Sequence, residues 1–362
     1  MDLLLEVNDL HCGYNNHVVV DGMNLHIAAG NMVSLLGPSG CGKTTVLRAI
    51  AGFEPVTSGE IRLNGRIVSS PGVRAPPEKR NLGMVFQDYA LFPHLTVREN
   101  MAFGLRHHTA GSKQRIVDSL LELIGMEGYG KRYPAELSGG QQQRIAVARA
   151  LAPEPSLLLL DEPFSNLDVE LRERLAVDVR DMLRSRNATA IFVTHDQNEA
   201  FVMGDKIGVM NDRRMLQWDT AFNLYHEPAD RFIADFIGKG SFMRGELVSA
   251  ETVNTALGRI SGNRAYPWPE GTPVDILLRP DDVLIVEESP RRCTVTDRAF
   301  LGADTLYTLR LEDGVELLSL IPSRYDYAIG REVGIELDID HFILFPLEPI
   351  VETVEADPTS SE

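Results

Sequence analysis

The feature that most constrains this chain is a glycine-rich loop set between a short apolar run and a helical pattern. Residues 37–44 read GPSGCGKT and match the pattern G-x-x-x-x-G-K-[ST] in full. Val33–Leu36 has the length and apolarity of a buried strand, and Thr45–Ala51 follows as a helical pattern. Glycines let such a loop curl until its amides face phosphate oxygens, and the positive end of the next helix adds to the attraction. The sequence therefore predicts a strand–loop–helix unit that binds the phosphates of a nucleotide.

The residues of this loop are candidates for distinct contacts. Lys43 is predicted to reach the β and γ phosphates, and Thr44 to ligate Mg²⁺. The remaining candidate nucleotide contacts are Gly37, Pro38, Ser39, Gly40, Cys41, Gly42 and Thr45. A glycine-rich turn with an incidental lysine is the structural alternative, and the strand before the loop and the helix after it weigh against that alternative.

Composition limits the class of protein. The formal net charge is −17, which argues against nucleic-acid binding because that affinity rests on clustered Lys and Arg. Hydrophobic residues make up 44% and charged residues 24%, as in folded proteins, and 362 residues exceed what one core usually holds. No run of about 18 apolar residues is present, and the N-terminus lacks a signal-peptide pattern. We therefore expect a cytosolic protein with one large and one smaller domain.

Four strand-length apolar runs before about residue 240 predict a mostly parallel sheet covered by helices. The runs are Val33–Leu36, Gly83–Phe86, Leu157–Leu160 and Ala190–Thr194, and polar or glycine-rich residues follow each of them directly. Ligands of open α/β sheets bind beyond the carboxyl ends of the strands, so these polar groups are predicted to line one site.

The stretch of roughly 88–155 is predicted to be a helical insert between two of these strands. Thr96–Glu99 reads as a capping box, in which two side chains satisfy free amides at a helix start. Gln114–Ile124 places apolar residues on one helical face, and Gly125 is expected to end that helix.

Residues 157–162 form an apolar run that ends in two carboxylates. Asp161 is predicted to lie on the Mg²⁺ side of the site, and Glu162 to polarise a water for attack on the γ-phosphate. Alone, an Asp after a strand is more often a helix cap or a turn residue. The phosphate loop elsewhere in the chain is what favours the metal role.

A second glycine-rich helix start lies within the helical insert. It consists of Ser138, Gly139, Gly140 and Gln141. The serine can cap the helix that continues through Arg149, and the glycines leave the amides of its first turn accessible to an anion. From the residues alone, an anion-binding start and an ordinary capped helix are equally open interpretations.

Together these motifs resemble those of the ATP-binding subunits of ABC transporters, and the resemblance covers the whole chain. Residues 37–44 are similar to the Walker A motif, 157–162 to Walker B with its catalytic Glu162, and 137–141 to the LSGGQ signature. The fold this implies is an α/β P-loop NTPase cassette with a RecA-like core sheet and a helical subdomain. The cofactors it implies are ATP and Mg²⁺.

The resemblance adds site residues that chemistry alone leaves weak. Gln87 matches the glutamine that senses the γ-phosphate and Mg²⁺, so Thr44, Gln87 and Asp161 are the implied metal residues. His195 matches the switch histidine, which makes it a catalytic candidate with Glu162, Gln87 and Lys43. The D-loop match includes Asp168, with Asn166 where many members have Ala, and Tyr14 matches the aromatic residue that stacks on adenine.

After about residue 240 the pattern changes to short β-type runs, which predict a small all-β domain. The runs are Val274–Leu278, Val283–Val286, Thr305–Leu311 and Val315–Ile321, with a strictly alternating stretch at Gly334–Asp340. Asp313-Gly314 is a hairpin signal. The expected domains are therefore 1–240 and 241–350, followed by an acidic tail at 351–362.

The second domain resembles the OB-like, TOBE-type domains of importer ATPases for ions, sugars and polyamines. Residues 279–282 and 300–303 carry that resemblance, whereas 250–272 departs from it. Within this group, 225–238 and 84–104 look most like ferric-iron import ATPases. Polyamine, sulfate, sugar and phosphonate importers remain alternatives.

The family resemblance also implies partners and a location. It implies a homodimer in which each ATP lies between one Walker A and the other signature, two membrane permease subunits, a solute-binding protein, and the cytoplasmic face of the inner membrane. Residues 90–95 are suited to receive a permease helix, with a buried loop as the equal alternative.

Three other classes fit the sequence less well. A soluble ABC ATPase of DNA repair or translation predicts basic surfaces, coiled-coil arms or tandem cassettes, and none is found. A GTPase or kinase has no use for a signature helix. A nucleotide sensor without turnover is expected to lack Glu162.

Overall fold

The computed structural model describes residues 3–14, 17–339 and 342–347. The chain divides into two compact units, Met1–Ala221 and Phe222–Glu362. The second unit therefore begins earlier than the domain boundary predicted at residue 240, which stays a prediction. One physical reason for the early division is Arg279, which donates hydrogen bonds to the backbone carbonyls of Tyr225, Ala234 and Gly238.

The first unit contains eleven strands and six α-helices among the residues that the structure describes. The strands are β1 Leu3–Tyr14, β2 His17–Ala28, β3 Met32–Leu36, β4 Ser58–Leu63, β5 Arg66–Ser70, β6 Val73–Arg74, β7 Leu82–Val85, β8 Leu157–Asp161, β9 Ala190–Thr194, β10 Lys206–Asn211 and β11 Arg214–Asp219. The helices are α1 Lys43–Ala51, α2 Val97–Ala102, α3 Ala110–Leu123, α4 Gly139–Leu151, α5 Val169–Ser185 and α6 Gln197–Met203.

The central sheet of this unit has the strand order β11-β10-β3-β9-β8-β7. All neighbouring pairs from β10 to β7 are parallel, and the edge strand β11 is antiparallel. The four predicted strands thus lie side by side, and β3 and β9 are buried along their whole length. Their shared direction places the residues that follow them at one edge of the sheet.

A second sheet in the first unit was not predicted. It is antiparallel, with the order β2-β1-β4-β5-β6. Register shifts interrupt the pairing of β1 with β2 at several points, and such bulges break the alternation of apolar and polar residues on which strand prediction depends. The apolar side chains of β1 and β2 share a core with those of α1.

Every regular element between β7 and β8 is helical, as predicted for this stretch. The capping box at Thr96 and Glu99 is present at the start of α2. Helix α3 ends where predicted but begins at Ala110 rather than Gln114, because the Thr109 side chain accepts a bond from the Ser112 amide and caps the helix earlier.

The second unit is mainly β-structure. Its strands are β12 Ser241–Ser249, β13 Thr252–Thr255, β14 Gly258–Ser261, β15 Pro273–Leu278, β16 Val283–Val286, β17 Arg292–Phe300, β18 Asp304–Arg310, β19 Glu316–Pro322, β20 Glu332–Leu337 and β21 Leu344–Pro346. Two short helices precede them, α7 Ala221–His226 and α8 Arg231–Ile237. The strands form two five-stranded sheets with the orders β14-β13-β12-β15-β21 and β16-β20-β17-β18-β19.

The predicted hairpin of the second unit is present, since β18 and β19 pair in antiparallel fashion around Gly314, which has φ 89°. The alternating stretch corresponds to β20, which begins two residues earlier and ends at Leu337. Asp340 and the acidic tail at 351–362 lie outside the described residues. Strands β12 to β14, β17 and β21 were not predicted.

Candidate active site

The phosphate loop links the buried strand β3 to helix α1. Gly42 has φ 109°, and a Cβ atom at this position would lie 2.6 Å from the carbonyl oxygen of Val19. Only glycine fits both the backbone conformation and the close approach. Gly42 is also the N-cap of α1 and supplies no side-chain cap, so the first amides of the helix remain open to an anion.

Lys43 is almost fully buried in this loop, with 5% of its surface exposed. Its ammonium donates hydrogen bonds to the carbonyls of Gly37 at 2.6 Å and Pro38 at 2.8 Å. A buried charge is costly without such partners. The two bonds therefore hold a positive charge directly on the loop.

Thr44 and Asp161 bring two oxygen ligands together across the sheet edge. The Thr44 hydroxyl donates to Asp161 Oδ1 at 2.9 Å, and Asp161 is the last residue of β8. Burial raises the pKa of Asp161, and the bond from Thr44 opposes that rise. Hydroxyl and carboxylate oxygens are ligands that Mg²⁺ prefers. With the open helix start and Lys43, the residues present fit a Mg²⁺–nucleotide complex.

Glu162 occupies a strained position next to this pair. Its φ is 43°, which is uncommon for a residue with a side chain. Its amide donates to the Val193 carbonyl at 2.9 Å, and its carbonyl accepts from the Ser165 hydroxyl at 3.0 Å. Backbone strain of this kind persists where surrounding bonds fix it. Hydrogen bonds thus hold both the amide and the carbonyl group of Glu162.

The Glu162 carboxylate contacts the predicted switch histidine. Nδ1 of His195 lies 3.2 Å from Glu162 Oε2. This proximity follows from the fold, because His195 comes directly after β9, which pairs with β8. The structure therefore places Lys43, Thr44, Asp161, Glu162 and His195 at one sheet edge.

Gln87 and the D-loop are joined by a backbone contact. The Asn166 side-chain amide donates to the Gln87 carbonyl at 3.0 Å, and the Gln87 residue itself is exposed. Asp168 is the N-cap of α5 and accepts a bond from the Leu171 amide. The metal role of Gln87 and the nucleotide role of Asp168 stay predictions.

The signature motif forms the start of α4. Ser138 and Gln141 make a complete capping box, with the Ser138 amide bonded to Gln141 Oε1 at 3.0 Å. A Cβ atom on Gly140 would lie 2.8 Å from a Leu175 methyl carbon, and one on Gly139 3.2 Å from a Leu167 methyl carbon. Gly140 thus packs against α5 and Gly139 against the D-loop residue Leu167, and the role of both glycines toward a nucleotide stays a prediction.

Tyr14 is the last residue of β1, and its side chain lies outside the described part of the chain. Its predicted stacking on adenine therefore stays a prediction.

Sequence reasoning missed Arg149, in the last turn of α4. Its guanidinium donates to the carbonyls of Tyr89 at 2.9 Å and Ala90 at 2.6 Å. Both of these residues have positive φ, 61° and 44°. A lone arginine near a helix end carries no sequence signal for this role, because the carbonyls it holds are about sixty positions away in the chain.

Sequence reasoning also missed Asn100, which shapes the segment after Gln87. This fully buried side chain accepts from the Phe92 amide at 2.9 Å and donates to the carbonyls of Leu95 and Thr96. An Asn within an amphipathic helix pattern gives no indication that it organises the loop before that helix.

The fold has a phosphate loop after β3, two carboxylates at the end of β8 and a histidine after β9, the strand between them. This arrangement defines the class of P-loop nucleoside triphosphatases. The family model described as ABC transporter matches residues 20–165, and the model described as TOBE domain matches residues 276–345. The chain belongs to the ATP-binding proteins of ABC transporters that carry a C-terminal TOBE domain. This confirms the family resemblance and the fold class expected from the sequence.

Several relatives match nearly the whole chain. The chain is 39% identical over 349 residues to the Fe(3+) ions import ATP-binding protein of Streptomyces avermitilis, across 94% of this chain and 98% of that protein. It is 36% identical to the protein of the same name in Fusobacterium nucleatum, across 95% and 94%. It is 42% identical to the spermidine/putrescine import ATP-binding protein of Pseudomonas fluorescens, across 87% and 88%.

A helix that crosses a bilayer needs about 20 mostly apolar residues. Among the helices of the described residues, none has the length and apolarity to cross a bilayer.

Proposed function

We propose that this chain hydrolyses ATP to drive a binding-protein-dependent importer. The observation that carries the proposal is the contact between Glu162 and His195, at 3.2 Å, beside the Thr44–Asp161 pair. A carboxylate held next to a histidine and a metal-binding pair is the arrangement that in-line attack of water on a γ-phosphate requires.

Each residue of the site has a definite task in this reaction. Lys43 and the open amides of α1 bind the phosphate oxygens. Thr44 and Asp161 hold Mg²⁺, which when bound neutralises charge on the phosphates. Glu162 accepts the proton of the attacking water. His195 fixes the Glu162 carboxylate in the position that its strained backbone already favours.

Replacement of Glu162 by Gln tests the catalytic assignment in the purified full-length chain. We expect phosphate release to fall by about a hundredfold or more, with the affinity for a fluorescent ATP analogue unchanged. Lys43→Ala is expected to weaken binding of the same analogue. Glu173→Gln, an exposed carboxylate on α5, is the matched control for loss of one charge. Turnover by Glu162→Gln at the wild-type rate contradicts the proposed role.

The proposed partners are a second copy of this chain, two permease subunits and, indirectly, a solute-binding protein, with the chain on the cytoplasmic face of the inner membrane. The names of the relatives support an importer. The segment 90–95 is the proposed permease contact, because Arg149 and Asn100 hold its backbone while Pro93 and His94 are exposed.

We propose ferric iron as the transported solute and polyamines as the second candidate. Two relatives named for Fe(3+) import support the first, and a relative with the higher identity of 42% supports the second. The ATP site contains no residue that selects a solute, since its groups face phosphate and metal. The choice between ferric iron and polyamines therefore requires a measurement of uptake.

Uptake of radiolabelled ferric iron and of radiolabelled putrescine separates these candidates. Cells that lack this chain are compared with the same cells supplied with the wild-type chain or with Glu162→Gln. We expect the wild-type chain alone to restore iron uptake. Restoration of putrescine uptake with unchanged iron uptake contradicts the assignment of iron.

A further inference from the structure

Arg172, in the first turn of α5, joins the D-loop to residues beside His195. Its guanidinium donates to the Leu167 carbonyl at 3.0 Å and to Asp196 Oδ2 at 3.3 Å. Its Nε lies 3.6 Å from Glu199 Oε1. One side chain therefore contacts the D-loop backbone and both carboxylates that follow His195 in the chain.

The backbone on both sides of His195 belongs to this same network. The Thr194 hydroxyl accepts from the Asp196 amide at 3.0 Å and donates to Glu199 Oε2 at 2.5 Å. Asp196 Oδ1 accepts from the Glu199 amide at 3.1 Å. The residues before and after His195 are thus fixed to each other and to Glu199, so movement of this network moves the imidazole that contacts Glu162.

Arg172 places a positive charge beside the two carboxylates of this network. Glu199 is 6% exposed, and burial raises its pKa while Arg172 and Thr194 lower it. Two carboxylates and one guanidinium share the site, and a buried carboxylate without a cationic partner is costly. Nε of Arg172 is buried and, within the described chain, has no hydrogen-bond acceptor. A small approach toward Glu199 would give this donor its partner.

The opposite side of the D-loop contacts Gln87. Asn166 donates to the Gln87 carbonyl, while the Leu167 carbonyl accepts from Arg172. Two neighbouring D-loop residues therefore connect to two predicted site residues, Gln87 directly and His195 through Arg172 and the network that flanks it.

We propose that Arg172 is a positioning residue that couples the D-loop to His195 and thereby sets the contact between His195 and Glu162. Displacement of the D-loop moves Arg172, and Arg172 moves the carboxylates that fix His195. The proposal rests on the proposed ATP hydrolysis, since it concerns the group that orients the catalytic carboxylate. Arg172 itself does not contact the nucleotide site.

The test compares three substitutions in the purified full-length chain by kcat, KM for ATP and affinity for a fluorescent ATP analogue. Arg172→Gln is expected to lower kcat about tenfold, since misplaced catalytic groups cost rate, while KM and affinity stay within about twofold. Arg172→Lys keeps the charge but not the planar fork that bonds to the Leu167 carbonyl and to Asp196 at the same time. It is therefore expected to recover less than half of the kcat that Arg172→Gln loses. Arg174→Gln, an exposed arginine on the same helix, is expected to match wild type.

The double substitution Arg172→Gln with Glu199→Gln distinguishes coupling from general destabilisation. Members of one network are non-additive, so the double variant is expected to have a kcat close to that of Arg172→Gln alone. Additive losses, a wild-type kcat in Arg172→Gln, or full activity in Arg172→Lys would each overturn the proposal. If Arg172→Gln does not fold, Glu199→Gln alone provides the test. The proposal predicts a lower kcat at unchanged KM for Glu199→Gln, and a wild-type kcat in this variant overturns the proposal.

Failure of this inference is distinct from failure of the proposed function. If Glu162→Gln is inactive while Arg172→Gln retains wild-type kcat, only the positioning role is overturned. If the wild-type chain releases no phosphate from ATP, or Glu162→Gln is fully active, the proposed hydrolysis itself is wrong.

Discussion

Two helices of this protein begin at glycine-rich motifs, and the two starts differ in what their own chain supplies. Helix α1 begins after Gly42, which provides no side-chain cap, and its second residue, Thr44, bonds to Asp161. Helix α4 begins after Ser138, which caps the helix together with Gln141, and its second residue is Gly140. The first backbone amides of α1 are therefore left open to an external anion, whereas those of α4 are partly satisfied by side chains of the same chain.

The difference separates two kinds of glycine. Gly42 is required by its own backbone, with φ 109° and the Val19 carbonyl close by. Gly139 and Gly140 lie in a regular helix, and leucine side chains of the D-loop and of α5 pack over them and leave little room for larger residues. We infer that the α1 start binds nucleotide in the single chain, and that the α4 start contributes to turnover only after nucleotide has bound.

The largest expected effect comes from alanine at one glycine of each kind. Gly42→Ala is expected to weaken binding of a fluorescent ATP analogue about tenfold to a hundredfold, because a strained, crowded residue costs about 1–3 kcal/mol. Gly139→Ala is expected to leave that affinity unchanged, since the Leu167 methyl group 3.2 Å away belongs to a movable side chain. It is expected to lower phosphate release instead.

Gly111→Ala provides the control for this pair. Gly111 lies in the first turn of α3, and a Cβ atom there would have no atom within 4 Å. Alanine at this position should preserve both affinity and turnover. Equal loss of nucleotide affinity in Gly42→Ala and Gly139→Ala would remove the distinction between the two helix starts.

Most of the α1 start and its sheet edge could be predicted from the sequence, because the signals are local. The phosphate loop occupies consecutive residues, and Asp161 and His195 follow continuous apolar runs whose parallel pairing places them at one edge. Helix caps involve only about four consecutive residues, which is why the capping box at Thr96 and the cap at Ser138 were predicted correctly. In each of these predictions, the residues that determine the local structure are close to it in the sequence.

The elements that escaped prediction depend on distant contacts. Arg172 and Arg149 carry no local sequence signal for their roles, because their acceptors lie in separate segments of the chain that meet only in the fold. The sheet containing β1 and β2 was missed because bulges disrupt its alternation. Residues 250–272 gave no pattern because β13 and β14 have four residues each, too few for a period to appear.

A smaller effect is expected from loss of the α4 cap. Ser138→Ala removes the acceptor of the Gln141 amide and should lower the free energy of unfolding by about 1 kcal/mol, measured by urea denaturation. Thr109→Ala removes the equivalent acceptor at α3 and should cost a similar amount. Only Ser138→Ala should also lower phosphate release, and an equal loss of turnover in both variants would show that the α4 start acts through stability alone.

The smallest expected effect concerns Asp161, the carboxylate that Thr44 contacts at the start of α1. Burial and Glu162 raise the pKa of Asp161, so ionised Asp161 opposes folding, and the wild-type chain gains stability as pH falls through the folded pKa toward the unfolded one. Asp161→Asn keeps an acceptor for Thr44 and does not titrate. Without ligand at pH 8, this variant should therefore be more stable than wild type, and the difference should narrow as the pH falls through the folded pKa of Asp161. Urea denaturation from pH 8 to pH 4 measures this difference in the free energy of unfolding, with exposed Asp181→Asn as the control.

With ATP and Mg²⁺ the order of stability of the two proteins should reverse, because the wild-type carboxylate then gains a cation. If Asp161→Asn without ligand is less stable than wild type at every pH, Asp161 supports the loop structurally. The starts of α1 and α4 would then differ less than their caps indicate.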